Sequence, residues 1–261
     1  MTRDGTAVGT GSGSDLRDAT TQVRDDRLDL VAKLYQGSLS GAVERVGHGH
    51  RLSAPLIVEL DPTSFCDLAC PECISTGLLN QGRFTQERLT SLADELVDAG
   101  VRGVILIGGG EPLLHPAIAS VITTLADGGL QIGITTNGTQ IGRHLDVVAR
   151  CATWTRVSVD AATADLYAAF RPSRNGRNAF SAVIQNLRLL AEVKLGVLGF
   201  SFLLMSRRDA GGTIIESNFD EVYAAAVLAQ QIGCDYFELK PEYDMGHYLI
   251  RQDKSLVNRL A

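Results

Sequence analysis

The chain has 261 residues, 45% of them hydrophobic, with a formal net charge of −6. A single α/β domain of barrel size takes about 250 residues, so the chain has the length and the apolar content for one core. It has no dense Lys/Arg run for nucleic acid or an anionic membrane and no stretch of about 18 apolar residues for a membrane span, so neither partner is expected.

The opening residues, MTRDGTAVGTGSGSD, lack the apolar centre of a secretion signal, which makes the cytoplasm the default location. Residues 1–25 are rich in Gly, Ser, Thr and Asp and read as a disordered tail. Residues 26–54 carry Leu30, Val31, Leu34 and Tyr35, then Leu39, Ala42 and Val43, which suits a short helical lead-in. Residues 55–261 then settle into alternation. Apolar or β-branched runs at Leu56–Leu60, Val104–Ile107, Ile132–Thr135, Arg156–Val159, Val197–Met205 and Tyr236–Leu239 predict strands. Helical patterns separate them. The clearest places Leu89, Leu92, Leu96 and Val97 on one face, with Gly100 as its stop. Others cover Ala117–Ala126, Leu145–Arg150, Phe180–Glu192 and Phe219–Ile232. Six strand-then-helix units predict a parallel sheet with right-handed crossovers, a partial (β/α)6 barrel of the TIM type rather than a closed barrel of eight.

In such folds the site lies at the C-terminal ends of the strands. There the chain places Cys66-x3-Cys70-x2-Cys73 after the first strand, Gly108-Gly109-Gly110-Glu111-Pro112 after the second and Thr136-Asn137-Gly138 after the third. Asp160 ends the fourth and Lys240 the sixth. Three of the five cysteines fall within eight residues, and an odd, clustered set in a reducing compartment favours metal over disulfides. Thiolates are the soft ligands that iron–sulfur clusters select. Three of them on a four-iron cube leave one iron open to a small molecule. A structural zinc wants a fourth ligand, which would have to be Cys151, Cys234 or a His, and none has paired spacing.

The cysteine loop and the glycine segment together resemble the signature of the radical S-adenosylmethionine (SAM) superfamily. The resemblance implies a [4Fe–4S] cluster on Cys66, Cys70 and Cys73, with SAM bound to the open iron. Electron transfer then splits SAM into methionine and a 5′-deoxyadenosyl radical. It further implies that Gly109, Gly110, Glu111 and Pro112 hold the SAM amino group, Glu111 as an acceptor for the ammonium. Thr136 and Asn137 then lie near the ribose and methionyl portions, Ser158 and Asp160 on strand four make ribose or carboxylate contacts, and Arg171 pairs with the SAM carboxylate. The family usually has an aromatic residue before its third cysteine. Here Glu72 stands there, and only its backbone is expected to reach adenine.

At the substrate end, Glu238 and Lys240 share a face of strand six. Charge on the inner face of a barrel is costly unless used or paired, so they read either as substrate contacts or as a mutual pair. Tyr243, Asp244 and His247 follow and remain open between substrate contacts and loop residues. His115, Cys151 and Cys234 read as structural. The resemblance implies hydrogen-atom abstraction from a small-molecule substrate, with an electron donor such as flavodoxin or ferredoxin. The general look is similar to enzymes that rework sugars, aminocyclitols or nucleosides in natural-product pathways. A peptide-modifying maturase is the alternative within the family, and a non-catalytic zinc or iron–sulfur module the alternative outside it.

Overall fold

The computed structural model describes Gly41, residues 44–49, Arg51 and residues 54–241, and the backbone of residues 243–244 and 247–248. The chain divides into residues 1–52 and 53–261. In the first unit Gly41 and residues 44–47 are helical, with the His48 amide donating to the Glu44 carbonyl at 3.0 Å. The expected tail over residues 1–25 lies outside the described residues, as does most of the lead-in over 26–54.

The second unit runs β1 (Ile57–Leu60), α1 (Gln86–Asp98), β2 (Gly103–Leu106), α2 (Ile118–Asp127), β3 (Gln131–Thr136), α3 (Leu145–Cys151), β4 (Trp154–Ser158), α4 (Ala164–Phe170), α5 (Phe180–Val193) and β5 (Val197–Leu204). It continues through β6 (Ser206–Arg208), β7 (Ile214–Ser217), α6 (Val222–Ile232), β8 (Tyr236–Pro241), β9 (Tyr243–Asp244) and β10 (His247–Tyr248). Six strands form one sheet in the order β1-β2-β3-β4-β5-β8, every neighbouring pair parallel. The strands at its two edges, β1 and β8, are not paired with each other, so this is the open, partial (β/α)6 barrel expected.

The first helix is specified locally. α1 starts at Thr85, whose hydroxyl accepts from the Arg88 amide at 3.1 Å, a side-chain cap. It buries Leu89 and Ala93, and Gly100 just beyond it takes φ +79°, where glycine avoids a Cβ clash. On β4, Thr155 and Val157 are buried, while Trp154, Arg156 and Ser158 are only half-buried on the opposite face. The buried face joins the core with Ile132 and Ile134 of β3 and Val183 and Leu187 of α5.

Register sorts the other face into rows. Thr135, Arg156, Gly199 and Tyr236 lie side by side across β3, β4, β5 and β8. Ser158, Ser201 and Glu238 form the next row toward the C-terminal ends, and Leu203 with Lys240 the row after. A Cβ on Gly199 would sit 2.0 Å from the Tyr236 ring, so that ring occupies the space a side chain at 199 would need. The Ser158–Ser201–Glu238 row therefore stands above a row in which the Tyr236 ring lies beside Thr135 and Arg156.

Three features depart from the expected elements. The segment between β5 and α6 holds an antiparallel hairpin, β6–β7, rather than plain loop. Its turn is built by Asp209, whose carboxylate accepts from the Gly211 and Thr213 amides, both at 2.9 Å. The expected helix over Phe219–Ile232 begins as a 3-10 turn at Phe219–Glu221 and becomes α6 from Val222. The seven-residue α4 is absent from the sequence pattern because it buries only Tyr167 and Phe170, whereas the equally short α3 carries the buried apolar run Val147-Val148-Ala149.

Candidate active site

The cysteine loop is a long excursion between β1 and α1, fastened at both ends. Ser64 exchanges backbone bonds with Gly82 and Asn80 at 2.9 and 2.8 Å, and its hydroxyl accepts from the Gln81 and Gly82 amides. On the other side the Ala69 amide donates to the Pro172 carbonyl at 2.7 Å, the Arg174 amide to the Asp67 carbonyl, and the Arg174 Nε to the Cys66 carbonyl at 2.9 Å. The Cys73 amide donates to the Cys70 carbonyl at 3.2 Å, which folds the two cysteines into one turn. All three cysteines are free and half-buried. Burial pushes the Cys66 thiol up to about 11 and raises that of Cys70, although Arg171 pulls the latter back. Without iron, burial therefore favours the neutral thiol at Cys66 and Cys70, and thiolate ligation there would release protons.

The glycine segment packs directly on this loop. A Cβ on Gly110 would lie 2.4 Å from the Phe65 carbonyl oxygen and 2.6 Å from that of Thr63, while one on Gly108 would lie 2.4 Å from Asp61 Oδ1. None of the three glycines takes a positive φ; at Gly110 the backbone of residues 63–65 approaches so closely that only glycine fits, while at Gly108 and Gly109 the near group is the Asp61 carboxylate. Asp61 accepts from the Gly109 amide at 2.7 Å and the Phe65 carbonyl accepts from the Glu111 amide at 2.8 Å. Pro112 opens a 3-10 turn that Glu111 caps.

Glu111 is 2% exposed. Its Oε1 accepts from the Leu113 amide and the Thr136 hydroxyl at 3.1 and 2.7 Å, and its Oε2 from the Asn137 amide at 2.7 Å. The sequence expectation gave this carboxylate to the SAM ammonium. In the structure it is first of all a brace between the ends of β2 and β3, leaving Oε2 lone-pair capacity for a ligand. Burial outweighs those three bonds and raises its pKa to about 7.

Asp67, between the first two cysteines, ties in the third strand. It accepts from Asn137 Nδ2 at 2.8 Å, the Thr139 hydroxyl at 2.6 Å and Gln140 Nε2 at 3.0 Å. Asn137 Nδ2 also points at Cys66 Sγ, 3.8 Å away. Asp160 and Arg171 form a buried ion pair, with Nε to Oδ2 at 2.6 Å, and Asp160 Oδ1 accepts from the Leu203 amide at 2.6 Å. Burial opposes the charge on Arg171, but Asp160 and Cys70 outweigh it and raise its pKa. The resemblance implies separate SAM contacts for these two residues, and in the structure each is also bound to the other. The fully buried Tyr167 has a hydroxyl without a hydrogen-bond partner among the described residues.

Inside the barrel, Glu238 is the centre of a network. Lys240 Nζ lies 2.9 Å from its Oε2, Ser201 Oγ 3.2 Å from the same oxygen, and Arg156 Nη1 3.3 Å. Arg156 Nη2 donates to the Thr135 hydroxyl at 3.3 Å. The mutual Glu238–Lys240 pair is thus present, with Arg156 as a second cation. Ser158 sits beside Ser201 in register. Glu72 is held by Arg207 of β6. His115 is structural, its ring bonding the Phe84 carbonyl and the Ala117 amide. Cys151 closes α3 and Cys234 precedes β8, each half-buried. The side chains of Tyr243, Asp244 and His247 lie outside the described residues.

The sequence reading missed Asp61, Asp67, Arg156, Arg174 and Arg207. Arg156 had a signal, since it shares strand parity with Ser158. Asp67 had one too, as an acid between two ligand cysteines. Arg174 and Arg207 contact the loop from far along the chain and carry no local mark, while Asp61 opens the loop and its partner, the Gly109 amide, is 48 positions away.

The donor set is three free, half-buried thiols of one loop, the soft ligands that an iron–sulfur cluster takes.

Residues 60–208 match the family model "Radical SAM superfamily". The AdoMet-dependent heme synthase of Methanosarcina barkeri is 26% identical over 185 residues, 69% of this chain and 49% of that protein. The GTP 3',8-cyclase of Rhodobacter capsulatus is 30% identical over 193 residues, 70% of this chain and 52% of that protein. The chain thus spans about half the length of these curated relatives. Streptococcus suis SuiB, solved with its precursor peptide SuiA, superposes with a TM-score of 0.62 at 15% identity, covering 97% of this chain and 54% of that one, a likeness of fold.

Proposed function

The chain belongs to the radical SAM superfamily, whose members use a [4Fe–4S] cluster and SAM, and from that premise we propose that it removes a hydrogen atom from a small polar substrate held inside the barrel. The cluster supplies the electron for reductive cleavage of SAM, which in turn supplies the radical. Cys66, Cys70 and Cys73 are the cluster ligands in this reading. The seat for SAM is the rim formed by Gly109 to Pro112, Thr136 and Asn137, Ser158, and the Asp160–Arg171 pair, with the backbone at Glu72 toward adenine. Arg171 keeps guanidinium N–H groups beyond those that Asp160 takes, which suits a second carboxylate.

One observation carries the substrate side. The inner face stacks a polar row (Ser158, Ser201, Glu238) and the Lys240 row above the Tyr236 ring, with Arg156 reaching Glu238. Charged groups there are costly unless used, and two cations on one carboxylate leave net positive charge toward the mouth. That favours a substrate rich in hydroxyl or acidic groups, such as a sugar or a nucleoside, oriented by Glu238 and Lys240; an aminocyclitol would have to turn its ammonium groups to the Glu238 carboxylate and away from the two cations. The barrel's part is to orient one C–H bond and keep water out. A flavodoxin or ferredoxin is the proposed electron donor.

The test uses anaerobically reconstituted protein, SAM and a strong reductant, with a panel of sugars, aminocyclitols, nucleosides and short peptides. Release of 5′-deoxyadenosine and methionine, raised by one class and accompanied by a mass change in that compound, supports the reading. Stimulation by peptides alone transfers it to a maturase. A colourless protein with one zinc and no SAM cleavage overturns it.

A further inference from the structure

The Arg207 guanidinium joins three separate pieces of chain. Its Nε and Nη2 form a two-pronged bond to Glu72, the Nη2 prong at 3.1 Å, across 135 positions of sequence. Its Nη1 bonds Glu216 on the paired strand β7, and Nη2 also donates to the Ala169 carbonyl at 2.8 Å. The carbon at its centre lies 4.6 Å from the centroid of the Phe170 ring, a cation–π contact with a buried aromatic. The Glu72 side chain is 14% exposed and that of Arg207 26%, so the pair is shielded well beyond an ordinary surface pair. A fork of this kind fixes orientation as well as distance, which a Lys ammonium cannot do.

Position matters more than strength. Glu72 lies between Cys70 and Cys73, in the turn closed by the Cys73 amide. Ala169 and Phe170 end α4, immediately before Arg171 and its Asp160 partner. The hairpin β6–β7 has no hydrogen-bonded place in the main sheet, so Arg207 is a principal tie between it and the cysteine loop.

We propose that Arg207 is a positioning residue for the cofactor seat: by gripping Glu72 it fixes the peptide between Cys70 and Cys73, and so couples the order of the β6–β7 hairpin to SAM binding. This rests on the cysteine loop holding the cluster and is independent of the substrate. Without the fork, the turn and the hairpin separate into two loosely held loops. The thiol ligands remain, but the SAM-facing backbone at Glu72 loses its fixed place.

The test compares Arg207→Met, Glu72→Gln and the double variant as full-length protein. In the iron-free state, hydrogen exchange over residues 66–76 and 206–217 speeds up at least tenfold in Arg207→Met, while α2 is unchanged. After reconstitution the variant keeps its iron, and its dissociation constant for SAM rises about tenfold, equivalent to about 1.4 kcal/mol. Glu72→Gln shifts in the same direction by less, and the double variant is no worse than Arg207→Met, because Arg207 acts through Glu72. If Arg207→Met does not fold, Arg207→Lys replaces it, and an intermediate shift is expected. Unchanged exchange together with unchanged SAM affinity overturns the proposal, as do additive effects in the double variant. Should wild-type protein bind iron but no SAM, the cofactor reading and the coupling fail together. Hydrogen exchange then reports a clamp that is structural only.

Discussion

Asp67 Oδ1 accepts a hydrogen bond from Asn137 Nδ2 at 2.8 Å, across 70 positions of sequence. The same Asn137 nitrogen faces Cys66 Sγ. One carboxylate between the first two cysteines thereby sets where the loop after β3 stands relative to the candidate cluster ligands. Asp67→Ala removes the acceptor for Asn137, Thr139 and Gln140 at once. Bonds to a charged group contribute about 1.5–3 kcal/mol each when buried, and these are only partly buried, so a net loss of about 2 kcal/mol is expected. The melting temperature of the iron-free protein should fall, and SAM affinity should weaken with it. An unchanged melting temperature would show that the loop is held by its other bonds.

The ligand assignment separates the cysteines into two groups. Replacing Cys66, Cys70 or Cys73 with Ala should each abolish the broad visible absorbance and the iron of reconstituted protein. Cys151→Ala and Cys234→Ala should keep both. Iron and sulfide counts on the five variants check this, and loss in Cys151→Ala equal to that in Cys70→Ala would reassign the ligands.

Glu111 gives a pH dependence with a definite sign. Its folded pKa stands at about 7, above the unfolded value, because burial disfavours the charged form. The folded state therefore binds the proton more tightly, so this contribution is fully present below about pH 4.5 and is lost as pH rises through about 7. A shift of that size corresponds to about 3 kcal/mol, to order of magnitude. Glu111→Gln cannot ionise, so the difference in unfolding free energy between wild type and variant should move in the variant's favour between pH 5 and 8. Denaturant melts of the iron-free proteins across that range measure it. Parallel curves would mean that the three donors keep Glu111 ionised throughout.

Asp160 combines a buried charge with a left-handed backbone, φ +61°. Asp160→Asn keeps a residue that tolerates this conformation but leaves Arg171 unpaired, at a cost of about 3–5 kcal/mol for a buried pair. Asp160→Ala adds about 1–2 kcal/mol of backbone strain. Thermal melts should therefore rank wild type above Asn and Asn above Ala. Equal losses for the two variants would remove the strain component.

Much of this geometry was legible in the sequence, and the reasons for the rest are specific. The six sheet strands were readable to within a residue or two because β2 and β5 are near-continuous apolar runs, β4 and β8 alternate apolar with polar residues, and Gly or Asp stands beside most of them. The hairpin was not, because β6 and β7 are only three and four residues long and β6 is wholly polar, and its clearest trace is the Asp209 turn. The motif residues were found by position, but not their mutual use. Glu111 bonds to Thr136 and Asn137, and Asp160 to Arg171, so groups read as ligand contacts prove also to hold one another. Glu72 stood out as an unusual residue in its loop, yet its partner Arg207 lies where no local pattern marks it.

The last prediction concerns Lys240 and Arg156, which share Glu238. If this pair were purely structural and buried, removing Lys240 would strand a charge. The structure argues otherwise: the Lys240 side chain is 46% exposed, and Glu238 keeps Arg156 and Ser201 when Lys240 goes. An ion pair so exposed is worth about 0–1 kcal/mol. Lys240→Met should therefore leave melting temperature, iron and SAM binding nearly unchanged, along with slow SAM cleavage in the absence of substrate. Substrate-stimulated 5′-deoxyadenosine release should fall, because the cation at the mouth is gone. Arg156→Met is the contrasting variant. Its guanidinium bridges Thr135 and Glu238 deeper in the barrel, so its removal should lower stability more than that of Lys240. Melting and SAM cleavage measured on both variants decide the matter. A larger loss of stability in Lys240→Met than in Arg156→Met, with cleavage lost in proportion, would make Lys240 a structural residue and remove it from the substrate site.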